Sequence, residues 1–266
     1  MRLPPSISSR LPSGLRLSAK HIISLSFIFV DVTGVTQKIL TGCRCIDESM
    51  GGGLSAGSVN LVYGEPETGK STLAMQCAVH CALQGLKVLF VDCDGTFSPK
   101  RLEQLSSGKF DAVAELVILV RPVDFREQTA VADRLSDYTA KGFGLVVIDT
   151  VTGLYRVRVA ETSGKPFGLN RELNRQMANI AQMAKTQKIP VIVTSQVHGV
   201  MDEDTSSVAP VATRVLKFWA DEIIAMKPTE DMQIIKAVLE ETPKRQNEVT
   251  CYVRIRESGL QDCSVH

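Results

Sequence analysis

From Thr41 onward, short runs of β-branched and other apolar residues alternate with stretches long enough to form helices. That alternation is the pattern of βαβ units feeding a mainly parallel sheet. Strands are expected at Ser58 to Tyr63, Lys87 to Asp92, Leu116 to Val120, Leu145 to Asp149 and Val191 to Thr194. Their near-continuous apolar character suits strands covered on both faces. Between them, Lys70 to Leu83 reads as a helix closed by Gly85, and Ser98-Pro99 opens another with an N-cap and a proline in the first turn. A third helix is expected from Phe125 to Lys141, stopping at Gly142. A fourth, from Asn170 to Lys188, carries Leu173, Met177, Ile180 and Ala184 on one stripe ahead of Pro190. Beyond residue 220 the texture changes to antiparallel strands, Asp221 to Met226, Gln233 to Leu239 and Val249 to Ile255, the last two flanking a polar turn over Thr242 to Asn247. No internal repeat or low-complexity tract is present.

Composition narrows the class. With 266 residues, 44% hydrophobic, 22% charged and a net charge of +1, the chain is long enough for one large domain with a full core. Residues 1–35 differ: up to residue 30 they hold Arg2, Arg10, Arg16 and Lys20, seven serines and no acidic residue. This segment is expected to be a poorly ordered leader or a stretch upstream of the true start, ahead of one domain over 36–266. Its apolar run, Ile22 to Val30, is too short to span a bilayer, which takes about 20 residues. Without the leader's four positive charges the remainder is mildly acidic. A protein that coats nucleic acid through bulk charge carries a basic excess, so any DNA contact must use local patches. The seven cysteines include no CxxC pair. Zinc and redox motifs therefore fail, a disulfide framework is not expected in a chain this large, and the thiols read as small buried residues of a reduced, cytoplasmic protein.

The strongest chemical signal is Gly64-Glu65-Pro66-Glu67-Thr68-Gly69-Lys70-Ser71, a complete GxxxxGK[ST] between an expected strand and an expected helix. A glycine-relaxed loop turns several N–H groups inward onto phosphate oxygens, and the helix N-terminus adds its positive dipole end. Lys70 is expected to neutralise the β and γ phosphates of ATP, Ser71 to give its hydroxyl to Mg²⁺, and Thr72 to bind the nucleotide with the loop. About eighty residues on, the apolar run ending in Asp149 supplies a second magnesium ligand, because strand ends gather at the P-loop edge of such a sheet. Two further strand ends complete a hydrolytic site: Asp94 to orient an attacking water, and Gln196 to sense the γ-phosphate. The alternatives are a turn aspartate before Gly95 and an exposed loop amide.

These motifs, taken in order, resemble the RecA/RadA recombinase superfamily over roughly residues 40–260, most closely its RadB branch. The resemblance lies in TGCRCID with Gly51-Gly52-Gly53, then GEPETGKS, VDCDGTFSPKRL, LVVIDTVTGLYR and VIVTSQV; the stretches KFWADEIIAMK, AVLEETPKRQNEV and VRIRESGL are specifically RadB-like. It implies a RecA-like P-loop NTPase core, an α/β fold whose mainly parallel sheet is flanked by helices and ends in antiparallel strands. It also implies a role in DNA repair and homologous recombination. By the same resemblance Asp94 stands where a catalytic glutamate is usual, Gln196 matches the γ-phosphate sensor, and Arg101 matches an arginine that packs on adenine. The shorter Asp94 side chain implies slow hydrolysis.

Two loops face DNA in the superfamily. Here Leu154 to Gly168 carries Arg156, Arg158 and Lys165, whereas Val197 to Pro210 carries Asp202, Glu203 and Asp204 and no Lys or Arg, so the first is the expected DNA contact. The N-terminal helical domain and the Phe/Ala linker motif of strand-exchange members are not visible before Thr41. The expected role is thus accessory: a weak ATPase, with a homodimer as one possible state, assisting a filament-forming recombinase or another repair protein, with no membrane association. The rival readings are a KaiC-like ATP-gated interaction switch without DNA and a hexameric helicase-type motor.

Overall fold

A computed structural model of the chain describes residues 38–139, 141–162, 167–202 and 205–263. The expected leader, 1–35, lies outside them. In chain order the elements are α1 (Arg44–Ser49), β1 (Val59–Gly64), α2 (Lys70–Leu83), β2 (Lys87–Asp92), α3 (Pro99–Leu105), α4 (Phe110–Ala114), β3 (Val117–Val120), α5 (Phe125–Asp133), α6 (Leu135–Tyr138), β4 (Phe143–Asp149) and α7 (Gly153–Glu161). There follow α8 (Phe167–Gln187), β5 (Val191–Ser195), β6 (Val197–Asp202), β7 (Thr205–Pro210), α9 (Thr213–Trp219), β8 (Glu222–Pro228), β9 (Ile234–Leu239), β10 (Val249–Arg256) and β11 (Gly259–Asp262).

Nine strands form one sheet in the order β11-β10-β9-β8-β1-β5-β4-β2-β3. The strands from β8 through β1, β5, β4 and β2 to β3 pair in parallel, and β8-β9-β10-β11 pair antiparallel. This is the expected α/β architecture. One detail differs: β8 is not wholly antiparallel, since it lies parallel to β1 in the register Asn60 to Glu222 and turns antiparallel only toward β9. It is the seam between the two halves of the sheet.

Continuous apolar runs follow from two cores. One face packs Phe90, Val147 and Ile192 under α2 with Leu73 and Cys77; the other packs Leu89, Val146 and Val193 under α8 with Leu173, Met177 and Ile180. Alternate residues of one strand thus serve opposite cores, so no position can be polar without cost.

The expected third helix is broken. α5 ends at Asp133 and the short α6 ends at Tyr138, where Thr139 donates its hydroxyl back to the Leu135 carbonyl at 2.7 Å. Ser136, Asp137 and Thr139 are weak helix formers whose side chains compete for backbone groups. The expected DNA-facing loop is also corrected, because Gly153 to Glu161 is helical, as α7. After the sensor position, the expected second loop is the β6-β7 hairpin.

The cysteine reading needs a larger correction. Cys43, Cys77, Cys81 and Cys93 are buried thiols, as expected. Cys45 and Cys251, however, form a disulfide between α1 and β10, with Cα atoms 5.8 Å apart. That separation sits inside the range a disulfide requires, and it arises only once the fold brings residues 206 positions apart together. Among the described residues no helix is long and apolar enough to cross a membrane.

Candidate nucleotide site

β1 is buried along its whole length and delivers the P-loop at the middle of the sheet. Gly69 has φ 85°, a left-handed conformation that lets the loop turn directly into α2. Lys70 opens that helix, is buried, and donates from Nζ to the Glu65 carbonyl at 2.5 Å. Burial lowers its pKa, while Asp149 and Asp94 pull the other way. Thr68 closes the loop by donating to the same Glu65 carbonyl at 2.8 Å.

Asp149, at the end of β4, is 2% exposed. It accepts from the hydroxyls of Thr194 and Ser71, and burial raises its pKa. Ser71 and Asp149 therefore present hard oxygen donors side by side, the donor chemistry Mg²⁺ prefers. These residues fit the ion.

The two aspartates at and just beyond the end of β2 divide their work. Asp92 is buried and structural: it accepts from the amides of Thr96 and Phe97 at 2.9 and 3.1 Å and from Arg121 Nε at 2.9 Å. Asp94 reaches the site instead. Its carboxylate accepts from Thr150 Oγ1 at 3.0 and 3.1 Å and from Gln196 Nε2 at 3.3 Å, and burial raises its pKa against those bonds. Gly153 makes room for it, since a Cβ there would lie 1.7 Å from Asp94 Oδ1. Asp94 and Gln196, 102 residues apart in sequence, are thus brought together, with Arg156 beside them donating to Gln196 Oε1. Asp94, Thr96, Gly153, Arg156, Val157 and Gln196 line a cavity of about 650 Å³.

The sequence missed what encloses the other side. The β10-β11 turn sits against the P-loop helix: Gln76 donates to the Leu260 carbonyl at 3.1 Å and accepts from its amide at 2.8 Å. Leu260 and Ile255 are the nearest side chains to Gly69. Arg101 does not stand as a free surface charge. Its guanidinium donates to the Arg256 and Glu257 carbonyls at 2.9 and 2.7 Å, fixing that turn, and burial lowers its pKa. No local motif announces a contact across 184 residues, so the signal was absent from the sequence.

The candidate DNA residues separate. Arg156 turns to Gln196, Arg158 pairs with Glu161 at 3.1 Å on the exposed side of α7, and Lys165 lies outside the described residues.

A P-loop at the centre of this sheet, with carboxylates from the ends of β4 and β2 converging on it and antiparallel strands at one end, defines a P-loop protein with a RecA-type core. The chain belongs to the Rad51 family, whose model matches residues 34–263. It is 35% identical over 225 residues to the DNA repair and recombination protein RadB of Thermococcus kodakarensis, covering 84% of this chain and 98% of that one. It is 34% identical to RadB of Thermococcus onnurineus over 84% of this chain and 96% of that one. A solved structure, the crystal structure of the RadB recombinase, superposes with a TM-score of 0.71 at 33% identity, over 85% of this chain and all of that one.

Proposed function

We propose that this protein binds ATP with Mg²⁺, hydrolyses it slowly, and acts in DNA repair and homologous recombination as an accessory to a filament-forming recombinase. The observation that carries the reading is the convergence of Lys70, the Ser71 and Asp149 pair, and the Asp94 and Gln196 pair at one edge of the sheet. The repair role is supported by the names of the RadB relatives.

On this reading Gly64 to Thr72 cradles the phosphates, and Lys70 exchanges the Glu65 carbonyl for β- and γ-phosphate oxygens. Desolvation that opposes its charge is offset by the anionic phosphates. Ser71 and Asp149 would hold the Mg²⁺, which would supply charge neutralisation of the phosphates. Asp94 accepts a hydrogen bond from the attacking water and draws its proton; its raised pKa makes it a better acceptor. Gln196 donates its amide NH₂ toward Asp94 and the γ-phosphate. Arg101 and the turn it fixes, 256–260, wall the base side of the pocket.

DNA is contacted through Arg158 on α7, with Lys165 the next basic residue along the chain. The mildly acidic chain beyond residue 30 supports modest, salt-sensitive binding in place of a DNA-coating filament. The test is the ATPase rate with and without single-stranded DNA at two salt concentrations, together with strand exchange by the isolated protein. Slow hydrolysis, salt-sensitive DNA binding and no strand exchange are expected. ATP binding without any DNA binding would favour the KaiC-like switch, and ring formation with strong DNA stimulation would favour a helicase motor.

A further inference from the structure

A carboxamide has two nearly isosteric ends, and only its partners decide which way it faces. At Gln196 those partners are unambiguous. Arg156 carries only donors, so the group it touches must be the amide oxygen; Asp94, as a carboxylate, takes the NH₂ end at 3.3 Å. The Gln196 backbone amide is tied separately, to Thr152 Oγ1 at 3.2 Å. Arg156 and Thr152 both belong to the segment that leaves β4, and the same helix sets Gly153 against Asp94. One short helix therefore governs both the carboxylate and the amide.

We infer that Arg156 is a positioning residue of the hydrolytic centre: it holds Gln196 with its NH₂ end toward Asp94 and the γ-phosphate, rather than serving first as a DNA contact. This rests on the functional reading above. Without the arginine the amide oxygen loses its donor and the side chain is held by its bond to Asp94 at 3.3 Å alone, so it can swing out of line. The displaced state does not remove the nucleotide, because Lys70, Ser71 and the loop amides remain. It removes the alignment of the reacting groups. Misplacement by about 1 Å costs on the order of 100-fold in rate, and a partial population of displaced amides costs less.

The experiment measures kcat, KM and the affinities for ATP and ADP, without DNA, for the wild type, Arg156→Ala, Arg156→Lys, Gln196→Ala and the Arg156→Ala/Gln196→Ala double variant. Arg156→Ala is expected to lower kcat about tenfold, a value within the range such misplacement spans, with ADP affinity and thermal midpoint unchanged. Arg156→Lys should restore part of the loss, since an ammonium also donates to the amide oxygen. The double variant should be no slower than Gln196→Ala alone, because residues acting as one unit are not additive. Independent, additive losses would overturn the inference. So would an unchanged kcat accompanied by weakened DNA binding, which would return Arg156 to the DNA-facing role while leaving the ATPase reading intact. A wild type that binds ATP but hydrolyses none is read through its preference for a non-hydrolysable ATP analogue over ADP: equal loss of that preference in both single variants supports the inference, and its retention in Arg156→Ala overturns it. A wild type that binds no ATP overturns the functional reading and this inference together.

Discussion

Replacing Cys45 or Cys251 by serine removes the only covalent tie between α1 and the C-terminal strands among the described residues. The loop it closes spans 206 residues of separation. Loop-closure entropy for a loop that long amounts to about 5 kcal/mol, while disulfides in real proteins typically contribute ~2–4 kcal/mol. The folded geometry itself should survive, because Asp262 still accepts from the amides of Arg44 and Cys45 at 2.6 and 3.0 Å, and Cys43 still faces the Leu260 carbonyl. The loss therefore falls on the unfolded state. For a chain of this size each kcal/mol moves the midpoint by about 2–4 °C, so the variant should melt roughly 5–15 °C lower. Adding a thiol reductant to the wild type should reproduce the shift and leave the variant unaffected. Five thiols should titrate in the denatured, oxidised wild type, in keeping with the five free cysteines. Seven titrating thiols and a midpoint indifferent to reductant would refute the reasoning.

Asp94→Glu extends the carboxylate by one methylene, on the order of 1.5 Å, toward the cavity beside Gly153, and should raise ATP turnover by tenfold or more; an unchanged rate in steady-state hydrolysis would show that the shorter side chain does not limit the reaction. Gln76→Leu leaves the buried amide of Leu260 without a partner and its carbonyl with only the weak Cys43 thiol donor, which should cost about 1–3 kcal/mol in urea denaturation, the cost of one orphaned group. Asp149→Asn probes a carboxyl whose pKa burial raises above 3.8. The folded state binds that proton more tightly than the unfolded chain does, so the group's contribution to stability is greatest at low pH and declines as pH rises from 3.8 through the raised value. Asparagine should therefore raise the nucleotide-free melting midpoint more at pH 8 than near pH 3.8 while abolishing Mg²⁺-dependent nucleotide binding. Destabilisation at pH 8 would mean that the bonds from Thr194 and Ser71 outweigh desolvation.

What the sequence revealed and what it concealed follow from the range of the interactions involved. β2 and α2 have the bounds expected of them, because each ends at local chemistry: a glycine, a turn aspartate, a left-handed loop residue. Ser98 caps α3 by accepting from the Arg101 amide, again a contact within four residues. The P-loop was legible for the same reason, and Asp149, Asp94 and Gln196 because strand ends must collect at one edge of a parallel sheet. α7 was not, since Val157, Arg158 and Val159 alternate like a strand or solvated loop, and the helix is fixed by docking against α5 and α8. The disulfide, the Gln76 clamp on Leu260 and the turn held by Arg101 were hidden because each joins positions more than 150 residues apart. Arg156 was visible as a charge but not as a partner of Gln196; though exposed, its helical phase sets it beside Gln196, whereas two residues on Arg158 points to Glu161.

The central claim is that the β1-to-α2 loop is a working ATP site. Equilibrium titration of Mg²⁺-ATP onto the wild type and Lys70→Ala tests it most directly. The account predicts saturation at one nucleotide per wild-type chain and binding at least tenfold weaker in Lys70→Ala, about 1.4 kcal/mol for the lost phosphate partner. Equal affinity in the two proteins, or no binding in the wild type, would contradict it.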